Sequence, residues 1–294
     1  MRVTNKSMTN TSLSGMQLNL ERLAELQQQS SSGLKINAPG DDPTGAQKVL
    51  RLKGTLLENA QYARNIVTGT AWLGQADNIM SSMGDIVARA HEIAVEMSTA
   101  TISAENRTAA VEEVTQLANQ LVQLGNAQAG GKYIFGGFKN DVAPFDANGL
   151  FTGTTDDVNI QTGINSTVTI NYSGPKLLNG VGGGVNLFTE MRNLSTALST
   201  NNQSGIQATL TTLDTAQTQI TTARADMGSR MSKIDRVSTN LESMNVDLNK
   251  ELSGTQDADL LKVYSDLNSQ QTAYQASLAV TAKISQLSLL DYLK

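Results

Sequence analysis

Asp41 and Asp42 stand side by side in SSGLKINAPGDDPTGAQ, between Pro39 and Pro43. Two adjacent carboxylates can supply half of a magnesium site or a general acid/base pair. Neither chemistry is completed by the rest of the chain, which offers no second carboxylate cluster and no histidine to accompany them. His91 is the only histidine, and it opens HEIAV, which begins like the zinc-protease helix HExxH. Val95 stands where the second imidazole is required, so a histidine-based zinc site fails. A Ser/His/Asp site would have to use the same His91, which lies inside a periodic helix and far from a strand-to-helix elbow. Gly125 and Gly130 have the separation of a phosphate loop, yet Gly131 replaces the lysine that reaches the phosphates, and Tyr133 follows Lys132. Cysteine is absent, which removes thiolate ligands, disulfides and a cysteine nucleophile. Met16, Met83, Met227 and Met231 recur at helical spacing and read as packing residues rather than a metal groove. The expectation is a non-enzyme with no catalytic, cofactor-binding or metal-binding residue.

The carboxylate segment has a structural reading. Gly33 closes a first helix as its left-handed residue. Pro39 and Gly40 make a turn, Asp42 caps the next helix, and Pro43 takes the first helical position, where a missing N–H costs nothing. Asp41 is left over by this scheme and could meet a neighbouring subunit.

The elements on either side are long. The four prolines at 39, 43, 144 and 175 leave 44–143 and 176–294 without the strongest helix breaker. Ile206, Leu213, Ile220, Met227, Ile234, Leu241 and Leu248 recur every seven residues, with companions such as Leu210, Ala216, Ala223, Val237 and Met244. That repeat marks the seam of a coiled-coil-like helix on the order of 70 Å long. Val49, Leu52, Leu56, Ala60, Ala63 and Val67, then Ile79, Met83, Ile86, Ala90, Ile93 and Met97, supply a partner of similar length. Val114, Leu117, Leu121 and Leu124 supply another, opened by Ser103 as cap and Glu105 in the first turn. Half of the 24 glycines fall between Gly130 and Gly184. Val168, Ile170 and Tyr172 alternate there with polar residues, as in a strand. The fold expected is mainly α: a long antiparallel helical rod built from both chain halves, with a small β-rich insert at about 138–187 forming an outward knob.

The ends carry narrow seams diluted by polar residues. Leu13, Met16, Leu20 and Leu23 form one, and Leu260, Tyr264, Leu267, Tyr274 and Leu278 the other. One amphipathic helix of this kind is marginal alone, so both ends need each other or other chains. Charged residues make up 17% of the chain and the net charge is −5. That balance gives no basic footprint for nucleic acid or an anionic membrane. The N-terminus shows no apolar signal region and no run is long enough to span a bilayer, so export would use another machine.

Several ordered motifs resemble the flagellin superfamily. SSGLKINAPGDDPTGAQ is similar to the family motif that follows the first terminal helix. RAHEIAVEM, Arg89 to Met97, resembles its RxRELAV helix with His91 in place of the second arginine, and SLLDYLK resembles its terminal helix. GGKYIFGGFKN, Gly130 to Asn140, is similar to the signature of the hook-associated branch rather than of flagellin itself. The resemblance implies an inner shell of terminal helices, formed by Leu13, Met16, Leu20, Leu23, Leu260, Tyr264, Leu267, Tyr274 and Leu278. It also implies outer rod helices and a spoke joining the shells, carrying Gly33, Asn37, Asp41, Asp42 and Pro43. The divisions would then be 1–42, 43–137, 138–187, 188–252 and 253–294. The implied role is a structural adaptor at the hook-filament junction of the bacterial flagellum, secreted by type III export. Its implied partners are a ring of about eleven copies of itself, the first hook-associated junction protein, flagellin and an export chaperone, with no nucleic acid and no membrane. The alternative within the superfamily is a filament subunit.

Overall fold

Six of the seven heptad positions from Ile206 to Leu241 are buried, and Leu248 is half-buried. In the computed structural model, which describes residues 5–292 and side chains over 7–283, they line one helix, α6 (Gln203–Gln256). The other elements are α1 (Asn5–Ser32), α2 (Pro43–Met97), α3 (Ala104–Gly125), β1 (Gln128–Ala129), β2 (Lys132–Tyr133), β3 (Asn159–Gly163), β4 (Ser166–Thr169), α4 (Gly174–Leu178), α5 (Leu187–Ser199) and α7 (Leu260–Tyr292). The chain divides into two units: residues up to Glu58 together with those from Ser243 on, and Asn59–Glu242. The divisions fall inside α2 and α6.

In the Asn59–Glu242 unit, α2 and α6 run antiparallel. Asp77 pairs with Arg224 at 2.9 Å and Asp214 with His91 at 3.2 Å, so residue numbers rise along one helix as they fall along the other. Arg89 bonds Glu113 at 2.7 Å, setting α3 against α2, and α5 packs on α3. Ser103 opens α3 by accepting from the Asn106 N–H, with Glu105 in the first turn. The buried stripe of α2 is wider than a single seam: Leu73, Ala76, Met80, Val87 and Ala94 are buried alongside the expected Ile79, Met83, Ile86, Ala90, Ile93 and Met97. A helix covered on more than one side needs such width.

The same effect displaces one expected seam residue. Val67 is exposed while Ile66 and Gly69 are buried, because the β3–β4 hairpin covers that side of α2. A Cβ at Gly69 would collide with Ile160 of β3. Met244, expected as a seam companion, is also exposed, since it flanks rather than faces the inward row of α6.

The 138–187 interval holds less strand than alternation suggests. Its regular sheet is the antiparallel pair β3–β4, with Ile160 opposite Val168 and the turn residue Asn165 at φ 57°. β1 and β2 pair just before the interval. Nor does the interval have a core of its own, because Phe145, Val168, Ile170, Leu177 and Leu178 join the core of the helices. Phe145 sits between the rings of Phe151 and Phe188, each at 5.4 Å. The hairpin is tied down by donors to its carbonyls: Asn65 to Gln161 at 2.8 Å, Lys233 to Thr167 at 3.1 Å, and Arg230 to Asn171 at 2.6 Å.

In the other unit α1 and α7 pack together and run antiparallel. Ser12 and Thr281 share a hydroxyl hydrogen bond of 2.8 Å, and Gln270 donates to the Asn19 side chain at 3.0 Å. The start of α2 meets the end of α6 through Lys48 and Glu251, 2.8 Å apart. Among the described residues the buried apolar side chains here are Leu26, Ile36, Val49, Leu52 and Val263.

Candidate assembly interface

The connector between α1 and α2 uses every polar residue singled out in it. Gly33 has φ 72° and its N–H bonds Gln29 O at 2.9 Å, ending α1. Asp42 accepts from Gly45 N–H at 3.0 Å as the cap of α2, and Pro43 is the first helical residue. The Asp41 N–H bonds Ala38 O at 3.0 Å across Pro39 and Gly40. One Asp41 oxygen, Oδ2, accepts from the N–H groups of Asn37 and Ala38, at 2.9 and 2.8 Å. Asp41 is therefore the acceptor that closes its own turn, and these two bonds hold its carboxyl below the ordinary range. Asn37 donates its amide to Leu34 O at 2.9 Å. Gly45 is buried, and a Cβ there would strike Ile36 and Asp42.

Sequence reasoning missed what this connector lies against. Lys35 N–H donates to Gln256 O at 2.7 Å and Ala258 N–H to Gly33 O at 2.9 Å, with a bridge between Leu34 and Asp257. The link from α1 to α2 is thus zipped to the link from α6 to α7. No side-chain pattern announces a backbone pairing this short.

The terminal seam splits in two. Met16 and Leu23 on α1, and Leu267 and Tyr274 on α7, are half-buried, in register with the inward Ser12, Asn19, Gln270, Ser277 and Thr281. Leu13, Leu20, Leu260, Tyr264 and Leu278 are exposed, as are Leu18 and Leu261. The α1–α7 contact is therefore rich in small and amide side chains, while leucines face outward. SLLDYLK lies beyond the described side chains.

Arg107 is the other residue that motif reading passed over. It is 5% exposed. Its Nε donates to Met97 O at 2.9 Å, Nη2 to Thr99 O at 2.8 Å, and Nη1 to the Asn201 side chain. The guanidinium closes the C-terminal end of α2 onto the turn before α6. An arginine four residues after a capping serine was the only signal, and it is a weak one.

His91 pairs with Asp214 across α2 and α6. Among the described residues no group of three or more His, Cys, Asp or Glu could hold a metal ion, and no helix is long and apolar enough to cross a membrane.

The model of the bacterial flagellin N-terminal helical region matches residues 3–140, and that of the bacterial flagellin C-terminal helical region matches residues 210–293. The chain belongs to the flagellin family. Within it, flagellar hook-associated protein 3 of Salmonella typhimurium is 26% identical over 312 residues, covering 98% of each chain. The protein of the same name from Escherichia coli is 24% identical over 290 residues, covering 91% of this chain and 92% of its own. FlgL of Bacillus cereus shares the fold, with a TM-score of 0.61 and 24% identity over 69% of this chain and 99% of that one. The family matches cover α1 to β2 and most of α6 and α7. They leave the β3–β4 hairpin, α4 and α5 outside.

Proposed function

We propose that this flagellin-family chain is a structural, non-enzymatic subunit of the bacterial flagellum, exported and built into the junction between hook and filament. The observation that carries the assembly role is the α1–α7 pair, whose inner face is partly polar while Leu13, Leu20, Leu260, Tyr264 and Leu278 are exposed. An exposed apolar row on a long helix marks a surface that another chain covers. Met16, Leu23, Leu267 and Tyr274 hold the pair together within the chain, and the exposed set is what neighbouring subunits bury in an inner shell. Residues 1–42 and 253–294 supply that shell and its spoke, 43–137 and 188–252 the outer helices, and 138–187 the insert. The partners are copies of the chain in a ring of about eleven, the first hook-associated junction protein, flagellin, and an export chaperone. The full-length similarity to proteins named hook-associated protein 3, together with GGKYIFGGFKN, supports the junction position.

Electron microscopy of native flagella carrying a tagged chain tests this. Label is expected only at the hook-filament boundary, and a deletion strain is expected to lose flagellin to the medium. Flagellin kept polymerised on hooks without the chain would sink the role. The family models are those of flagellin, which favours one second reading, a filament subunit. Purified chain growing into long filaments unaided would establish that reading instead.

A further inference from the structure

The α2 turns that follow the connector carry an outward-facing arrangement of apolar and small residues. Leu50, Lys53, Gly54 and Leu57 are spaced i, i+3, i+4 and i+7, the four positions that enclose a hole in knobs-into-holes packing. They lie on the outer side of the helix: Leu50 is 69% and Leu57 72% exposed, and Lys53 and Gly54 are exposed as well. A Cβ added to Gly54 would meet nothing within 4 Å, so the centre of the hole is open. Glycine weakens a helix interior relative to alanine, and what position 54 gains from it is depth between two leucines. Lys53, itself one of the four, makes no ion pair among the described residues, while Arg51 and Glu58 lie on the other side of the hole, where Arg51 acts on the Glu251 carboxylate of its own chain.

A matching projection stands at the start of α7. Leu261, at 86%, has the greatest exposure of any large apolar side chain among the described residues. Asp257, Asp259 and Asp266 surround it in sequence, with Lys262 the single base between them. We propose that Leu261 of one copy enters the Leu50–Gly54–Leu57 hole of the next copy, with the acidic first turns of α7 set against Lys53. Opposite charges fix partner and register more than affinity. Hole and projection are different surfaces of one chain, so the contact is heterologous: it repeats around a ring instead of ending at a dimer. This rests on the junction-subunit reading and specifies how its copies meet.

The chain has no cysteine, so Leu57→Cys and Leu261→Cys each introduce a single thiol. Both variants are co-produced in the native strain lacking the parent chain, and isolated flagella are treated with copper phenanthroline as oxidant. A disulfide-linked dimer is expected only when the two variants are together, and it is expected to vanish when the Leu57→Cys chain also carries Gly54→Leu. By itself, Gly54→Leu should leave the free chain's melting temperature unchanged or higher, since leucine is the better helix former, while lowering the subunit retained on hooks several-fold. Tagged subunit at the boundary with no mixed dimer, or with Gly54→Leu retained as the parent is, overturns the contact and leaves the junction reading standing. Subunit absent from the boundary removes both.

Discussion

At the scale of single residues, two charged side chains carry more of the structure than their surroundings suggest. Asp41 is exposed, yet its carboxylate receives two backbone N–H groups. Its pKa is lower folded than unfolded, so the ionised form favours folding. That contribution is present above the unfolded value of about 4 and is lost as pH falls through the folded value. Asp41→Asn keeps the shape but weakens the acceptor. Urea melts of the free chain should therefore show the variant less stable at neutral pH, with the gap closing below about pH 4. Because the bonds are internal, Asp41→Ala should lower free-chain stability and assembly together; loss of assembly alone would mean that a neighbouring subunit uses the carboxylate. Arg107 works through geometry. Its three donors reach three acceptors in a buried site, and removing them strands two backbone carbonyls. Arg107→Ala should cost about 2–4 kcal/mol in a denaturant melt. Arg107→Lys should recover only part of it, since one ammonium cannot match the planar fork.

At the scale of elements, the seven-residue repeat of α6 was legible from Ile206 to Leu241, whose six heptad positions are all buried, but not at its companion Met244. The stripe of α2 was legible only in part. Its width depends on what lies on its second side, and the hairpin that buries Ile66 and Gly69 while leaving Val67 outside comes from nearly a hundred residues away. The connector between α1 and α2 was readable at Gly33, Asp42 and Pro43, where local chemistry decides conformation. Asp41 was not readable, because its acceptors are satisfied by a turn whose closure no residue type specifies. The terminal seams show the other limit. Apolar periodicity picks out Leu13, Met16, Leu20 and Leu23 alike, but it does not say which two face α7. Substitution separates them. Leu26 is buried in the small core of this unit, and Leu26→Ala should destabilise the free chain by about 2–4 kcal/mol. Leu13→Ser with Leu20→Ser should lower its melting temperature by no more than a few degrees, because exposed sites change stability by about 0.5 kcal/mol or less each. The same pair should abolish retention on hooks in a pull-down of native flagella. Equal losses in both assays would place Leu13 and Leu20 in the intrachain contact.

At the scale of the whole molecule, apolar burial among the described residues is unevenly shared between the two units. The large connected core runs from Ile66 to Leu241 and lies wholly within Asn59–Glu242. Among its described residues the unit containing both termini buries Leu26, Ile36, Val49, Leu52 and Val263, beside the backbone zipper of Lys35 and Ala258. Regions with few buried apolar contacts open at lower free energy than the core they adjoin. The free chain should therefore melt in two calorimetric transitions rather than one. Arg107→Ala, inside the larger core, should shift the upper transition, and Leu26→Ala the lower. Limited proteolysis of the free chain should cut first within about 1–45 and 255–294, leaving a resistant fragment that spans the larger core. The terminal unit is also where the exposed leucines and the Leu50–Gly54–Leu57 hole lie, so neighbouring copies should supply the burial it lacks. Assembly should then protect both ends from protease while leaving cleavage of the larger unit unchanged. Ends that resist cleavage equally well in the free chain would mean that the small unit is stable alone, and the argument that assembly completes its fold would fail.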